Sequence, residues 1–124
     1  MILLVIPGFL LAGSIYYAVK MQLLGGILFL MKIISWNVNG LRAIHKKGNW
    51  EEMFKREFDI LCLQETKCEA EQLTEEVRNP QGYFSYFSHS KMRKGYSGVA
   101  VYSKTKPIRV EEGVGVKDMD QEGR

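Results

Sequence analysis

"SWNVNGLRA", Ser35–Ala43, decides how this chain is read. It completes the run "KIISWNV" (Lys32–Val38), which is short, β-branched and aromatic and stops at Asn39-Gly40. That pattern reads as a buried strand entering a loop. A plain turn accounts for Asn39-Gly40 alone. A second reading takes in Asn37, Asn39 and Arg42 together, because polar groups gathered at a strand end are where α/β sheets place their chemistry.

Downstream, "NWEEMFKREF" (Asn49–Phe58) predicts a helix. Asn49 stands as its cap, Glu52 follows three residues on, and Trp50, Met53, Phe54 and Phe58 recur at helical spacing. "ILCLQ" (Ile60–Gln64) predicts a second buried strand, so strand, helix and strand follow within about thirty residues, a layered α/β arrangement. Both strands read as buried on two faces. "EAEQLTEEV" (Glu69–Val77) predicts a short surface helix with Leu73 and Val77 inward, stopped at Asn79-Pro80. Tyr83–His89 and Gly98–Ser103 read as strands flanking the basic loop "SKMRKGYSG", and Pro107–Val110 as a further strand before an acidic tail.

Upstream the composition changes. Residues 1–30 hold one charged residue, Lys20, whereas all 14 acidic residues lie after Leu30. As a helix, the uncharged residues 1–19 would reach roughly 29 Å, about the thickness of a bilayer core. Two readings follow: a membrane anchor, or an over-extended start with translation beginning at Met31. The abrupt onset of charge-rich sequence at Met31 favours the second, so the fold is expected in residues 31–124. The absence of a basic segment ahead of the apolar run makes a secretory signal a poor match.

The charge is unevenly placed. No acidic residue falls between Glu76 and Glu111, an interval that holds Arg78, Lys91, Arg93, Lys94, Lys104, Lys106 and Arg109. A solvated basic face is one reading and a polyanionic partner the other. Cys62 and Cys68 show no metal-ligand spacing, which leaves zinc unsupported and reduced, intracellular thiols as the default.

Glu65, in "LQETK", ends the second strand as Asn37 ends the first. If the two strands are neighbours, a carboxylate and an amide converge. Hard oxygen ligands of this kind suit Mg²⁺ or Mn²⁺, and Mg²⁺ commonly takes only one or two protein carboxylates beside water and phosphate. A capping role for Glu65 is the alternative. Arg42, Lys46, Lys47 and Lys67 follow the strand ends and can meet phosphates. Tyr96, between Gly95 and Gly98, can lie against a sugar-phosphate chain, or simply mark a hairpin turn.

"ISWNVNGLRA", "DILCLQETK", "GYSGVAVYSK" and "DQEGR" together resemble, in order and approximate spacing, the exonuclease III family of AP endonucleases. The resemblance runs from Met31 to Arg124 and covers less than half of that family's domain. It implies the N-terminal part of a four-layered α/β sandwich, the endonuclease/exonuclease/phosphatase fold, incomplete in this chain. It implies a DNA-repair nuclease, a Mg²⁺-dependent phosphodiesterase (Mn²⁺ as alternative) that cleaves at abasic sites and removes 3′ nucleotides or blocks. It assigns Glu65 and Asn37 to the metal and catalytic network, and Arg42, Lys46 and Tyr96 to the DNA backbone. The position of Asn39 is Asn in some members and Asp in others, and Lys67 flanks the site. The implied partner is double-stranded DNA, abasic-site DNA especially, bound by a cytoplasmic monomer; a membrane enters only if residues 1–30 are retained.

The family's catalytic tyrosine, its Gly-Asp-x-Asn segment and its Asp-His pair have no counterpart here, and His45 and His89 match none of them. The chain alone is therefore expected to lack nuclease activity. The competing readings are a non-catalytic DNA-binding remnant and a membrane-anchored protein of other function.

Overall fold

A computed structural model describes residues 3–8, 15–24 and 27–123. The described strands form one mixed sheet. In chain order they are β1 (Leu3–Gly8), β2 (Ile15–Leu24), β3 (Ile27–Asn37), β4 (Ile60–Gln64), β5 (Phe84–Ser88) and β6 (Val99–Ser103), with spatial order β1-β2-β3-β4-β6-β5. β3 and β4 pair in parallel, Ile33 opposite Ile60 through Asn37 opposite Gln64, and every other pairing is antiparallel. The connection from β3 to β4 carries the helices α1 (Leu41–Lys46) and α2 (Asn49–Phe54). Parallel strands need such a crossover, because a hairpin cannot join them.

One face of the sheet is closed. Ile34 and Trp36 of β3, Val38 just past its end, Leu61 and Leu63 of β4, and Ala100 and Tyr102 of β6 alternate inward, meeting Leu41, Ile44, Trp50 and Met53 from the helices. Trp50, Phe54, Phe58, Tyr83 and Tyr102 form a continuous aromatic cluster with ring centroids 4.5–6.1 Å apart. The Tyr102 hydroxyl donates to the Val77 carbonyl at 3.0 Å. Burial pushes that phenol well above its ordinary range. The entry to β4 is fixed by Asp59, whose carboxylate accepts from the Lys32 amide at 2.7 Å while its own amide donates to the Lys32 carbonyl at 2.9 Å.

The second face of β3 and β4 is open in this chain, as expected where much of its covering layer is not among these residues. Ile33, Ser35, Ile60, Cys62 and Gln64 on the opposite face are only half-buried, so over these residues each strand alternates. A broad apolar groove runs over that face, lined by Ile60, Tyr86, Val99 and Val101 and flanked by Pro107 and Val110.

Other elements shift for local reasons. Over residues 3–8 and 15–24 the apolar segment forms strands rather than the helix considered for residues 1–19, and β2 pairs along the edge of β3. Among the described residues no helix is long and apolar enough to cross a membrane. The helix α2 starts at Asn49 with Gly48, φ 75°, at the cap position, and no side chain caps it. It ends by Lys55, and Phe58 reaches the core through a turn at Glu57, φ 46°. The helix expected over Glu69–Val77 is broken into a 3₁₀ turn (Ala70–Gln72) and α3 (Glu75–Arg78), because Leu73 is extended; Leu73 and Val77 are both buried as expected. Pro107–Val110 forms no strand, and the acidic tail carries a short helix, α4 (Lys117–Gln121).

Candidate functional site

The parallel pairing of β3 and β4 continues past the strand ends. The Val38 amide donates to the Gln64 carbonyl (3.0 Å), Gly40 to Glu65 (2.7 Å) and Leu41 to Thr66 (2.9 Å). On the other side Thr66 donates to Gly98 (3.1 Å) and Lys67 to Ser97 (2.8 Å). Residues 65–67 are therefore laced between the β3–α1 turn and the start of β6. Thr66 and Ser97 are buried in this seam. Gly98 closes it: at φ 87°, a Cβ here would lie 2.5 Å from Thr66 Oγ1.

Four non-glycine residues of the seam, Asn39, Glu65, Lys67 and Ser97, have φ between 46° and 56°. Such conformations cost energy and cluster where a fold holds functional groups in set positions. The side chains of three of them, with Asn37, form one group. Lys67 Nζ donates to Asn39 Oδ1 at 2.6 Å and lies 3.5 Å from Glu65 Oε2. The Asn39 amide donates to Asn37 Oδ1 at 3.1 Å. The Glu65 and Lys67 side chains are each 35% exposed, open to a ligand from solvent.

The sequence placed Asn37 and Glu65 side by side, and the register brings their strand ends together. It read Lys67 as a flanking residue, and its ammonium meets Asn39 Oδ1 and Glu65 Oε2. No spacing rule marks Lys67 beyond its place two residues after Glu65. The fit of this group to a divalent cation rests on the same observation. The Glu65 carboxylate and the Asn39 carboxamide oxygen, which already collect the Lys67 ammonium, are of the type that takes Mg²⁺ or Mn²⁺. Glu65 would hold such an ion with Asn37, at the neighbouring strand end, as the resemblance implies.

The flanking basic and aromatic residues are placed unequally. Arg42 lies in the first turn of α1, immediately after the seam, and its charge opposes the burial that pushes the Cys68 thiol up. Lys46 follows four residues later, on the same helix face and exposed, and joins none of the hydrogen bonds of the Glu65 group. Tyr96 is exposed on the loop whose next two residues, Ser97 and Gly98, bond to Lys67 and Thr66.

"DQEGR" has a structural part that the sequence did not disclose. Asp120 accepts from the amides of Val114 (2.6 Å) and Gly115 (3.1 Å). The Gln121 carbonyl accepts from the Lys91 amide (2.8 Å) and the Ser90 hydroxyl (3.5 Å). Gly123 packs so closely that a Cβ would come within 2.4–2.6 Å of the His89–Ser90 backbone. The motif clasps the root of the basic loop.

The sequence that builds this sheet end and basic loop matches a family model. Residues 34–124 match the Endonuclease/Exonuclease/phosphatase family, and the chain belongs to that family. Among curated relatives it is 48% identical over 95 residues to an exodeoxyribonuclease of Bacillus subtilis, covering 76% of this chain and 36% of that protein. It is 46% identical over 95 residues to the DNA repair nuclease APEX1 of Danio rerio, covering 76% of this chain and 31% of the relative. Among solved structures, an AP endonuclease from Archaeoglobus fulgidus superposes with TM-score 0.57 at 37% identity, over 73% of this chain and 34% of the other. The Xenopus laevis APE2 catalytic domain superposes with TM-score 0.51 at 50% identity, over 60% and 23%. The chain thus spans about a third of the length of the first two relatives.

Proposed function

We propose that residues 31–124 carry the metal-holding and DNA-gripping part of a DNA-repair nuclease, an intracellular phosphodiesterase acting on duplex DNA and on abasic-site DNA in particular. The observation that carries this reading is the Asn37–Asn39–Glu65–Lys67 group at the ends of two parallel strands. The family match, which begins at Ile34, supports assigning the function to this part of the chain. The names of the relatives, an exodeoxyribonuclease and a DNA repair nuclease, support the substrate class.

In this reading Glu65 supplies the charged ligand and Asn37 a neutral one. A divalent ion bound there offsets negative charge on a phosphate. Lys67 balances the Glu65 carboxylate and meets phosphate oxygens. Arg42, Lys46 and Tyr96 hold the backbone without reading bases, since phosphate contacts position a duplex and carry no sequence information. The chain acts as a monomer on DNA. Groups that activate water are not among these residues, so binding rather than incision is what the 124-residue chain delivers.

The experiment is fluorescence anisotropy with an abasic-site duplex, with and without Mg²⁺, for the wild type and Glu65→Gln. Mg²⁺ strengthens wild-type binding and leaves Glu65→Gln unchanged. Equal responses of the two proteins to Mg²⁺ would refute the assignment, and Mg²⁺-dependent incision by the wild type would show that the chain is a complete catalyst.

A further inference from the structure

The helical layer holds a second convergence of ligand groups, on elements other than those of the Glu65 group. His45 lies in the last turn of α1, Glu51 in the first turn of α2 and Glu76 in the first turn of α3. His45 Nε2 is 2.5 Å from Glu76 Oε1 and 3.6 Å from Glu51 Oε1. One donor atom from each residue falls within 4.8 Å of the other two.

Two properties separate this cluster from an ordinary surface ion pair. First, its three roots are fixed independently. Ile44 beside His45, Trp50 beside Glu51 and Val77 beside Glu76 are all buried, so the donors converge from three anchored backbones rather than from one mobile helix face. Second, its carboxylates turn to the imidazole. Among the described residues neither Glu51 nor Glu76 makes a direct ion pair with a lysine or arginine; Lys55 bonds to Glu52, with Glu51 a weaker electrostatic neighbour, and Arg78 bonds to Glu75. Two carboxylates thus share the His45 imidazole.

We infer that His45, Glu51 and Glu76 form a second divalent-metal site, selective for a borderline ion of the Zn²⁺ type. One imidazole and two carboxylates make a three-ligand set that leaves a position for water, a coordination that Zn²⁺ accepts. Imidazole favours Zn²⁺, Ni²⁺ or Cu²⁺, whereas all-oxygen surroundings favour Mg²⁺. The two sites therefore sort metals by donor type. Bound at this point, the ion ties α1 and α2 to α3. It binds the folded chain and not the unfolded one, and so raises the melting temperature.

The test is calorimetric titration of the whole chain with ZnCl₂, paired with thermal melts. The variants are Glu65→Gln, His45→Gln and Glu51→Gln. Wild type and Glu65→Gln each take up one tight equivalent of Zn²⁺ and melt at higher temperature with it. His45→Gln keeps a hydrogen-bonding group for Glu76 but loses the imidazole, and its affinity falls by at least about tenfold, the loss that even a supporting contact to a metal ligand produces. Should His45→Gln misfold by circular dichroism, Glu51→Gln, altered at an exposed side chain, must show the same loss. No Zn²⁺ uptake by the wild type, uptake unchanged in His45→Gln and Glu51→Gln, or uptake abolished by Glu65→Gln would each overturn the inference. Because the readout is metal uptake, it stands or falls separately from the DNA-binding reading.

Discussion

Gly98→Ala is the most informative single-atom change in the seam that carries Glu65. Two costs add. Gly98 has φ 87°, a conformation that charges an L-residue roughly 1–2 kcal/mol. The new methyl carbon would also sit 2.5 Å from Thr66 Oγ1, 3.5 Å from the Ser88 carbonyl oxygen and 3.7 Å from the Lys67 amide. Thr66 is buried, so its hydroxyl has little room to yield, and overpacking of this kind costs about 1–3 kcal/mol. The sum, ~2–5 kcal/mol, is a large share of the 5–15 kcal/mol typical of folded domains, taken here as an order of magnitude. Gly95→Ala supplies the comparison. It has φ 70°, but its nearest neighbour, the Lys67 carbonyl oxygen, is 4.0 Å away, so only the conformational cost of roughly 1–2 kcal/mol applies. Urea unfolding followed by the fluorescence of the buried Trp36 and Trp50 measures both. The predicted result is a lower midpoint for Gly98→Ala than for Gly95→Ala at unchanged slope. Equal midpoints would refute the close approach of β6 to Thr66, and with it the account of how Glu65 is held.

Tyr102→Phe removes a buried hydrogen bond to the Val77 carbonyl and costs about 1–3 kcal/mol at neutral pH, read from the same urea curves. Because burial raises the Tyr102 pKa above its ordinary 10.0, the folded state keeps its proton where the unfolded chain gives it up; the resulting stabilisation is complete below that pH and is lost as pH rises beyond it, and Tyr102→Phe flattens this alkaline slope. Arg42→Ala weakens binding about equally on any duplex and reduces the slope of log K against log salt by about 0.9, measured by anisotropy over a salt series. A changed base preference with an unchanged salt slope would count against a phosphate role.

The strands β4, β5 and β6 were legible because their signals are local, whereas β1 and β2 were not, since an uncharged apolar run also fits a helix. "ILCLQ" is a short β-branched and leucine-rich run ended by polar residues, and it forms β4 over the expected residues. The helix α1 was not legible. Its N-cap is Gly40 at φ 114°, with no capping side chain, and it is held instead by the packing of Leu41 and Ile44 and by the hydrogen bond from Leu41 to Thr66. The 3₁₀ break before α3 escaped for a similar reason. Glu69 and Gln72 form a reciprocal capping box around a three-residue turn, whereas Leu73 and Val77 alone suggest one continuous helical face. At the candidate site, the adjacency of the strand ends that carry Asn37 and Glu65 was legible, because the two apolar runs predicted both strands. The contacts of Lys67 were not, since they depend on the left-handed backbone at Glu65 and Lys67.

The central claim is that the polar ends of β3 and β4 make a divalent-metal site with Glu65 as its charged ligand. A calorimetric titration of the wild type and Glu65→Gln with MgCl₂ tests it most directly, because Gln keeps the shape of the side chain and removes only its charge. The account predicts one Mg²⁺ equivalent on the wild type, none detectable on Glu65→Gln, and undiminished binding in His45→Gln. Matching isotherms for the wild type and Glu65→Gln would contradict it.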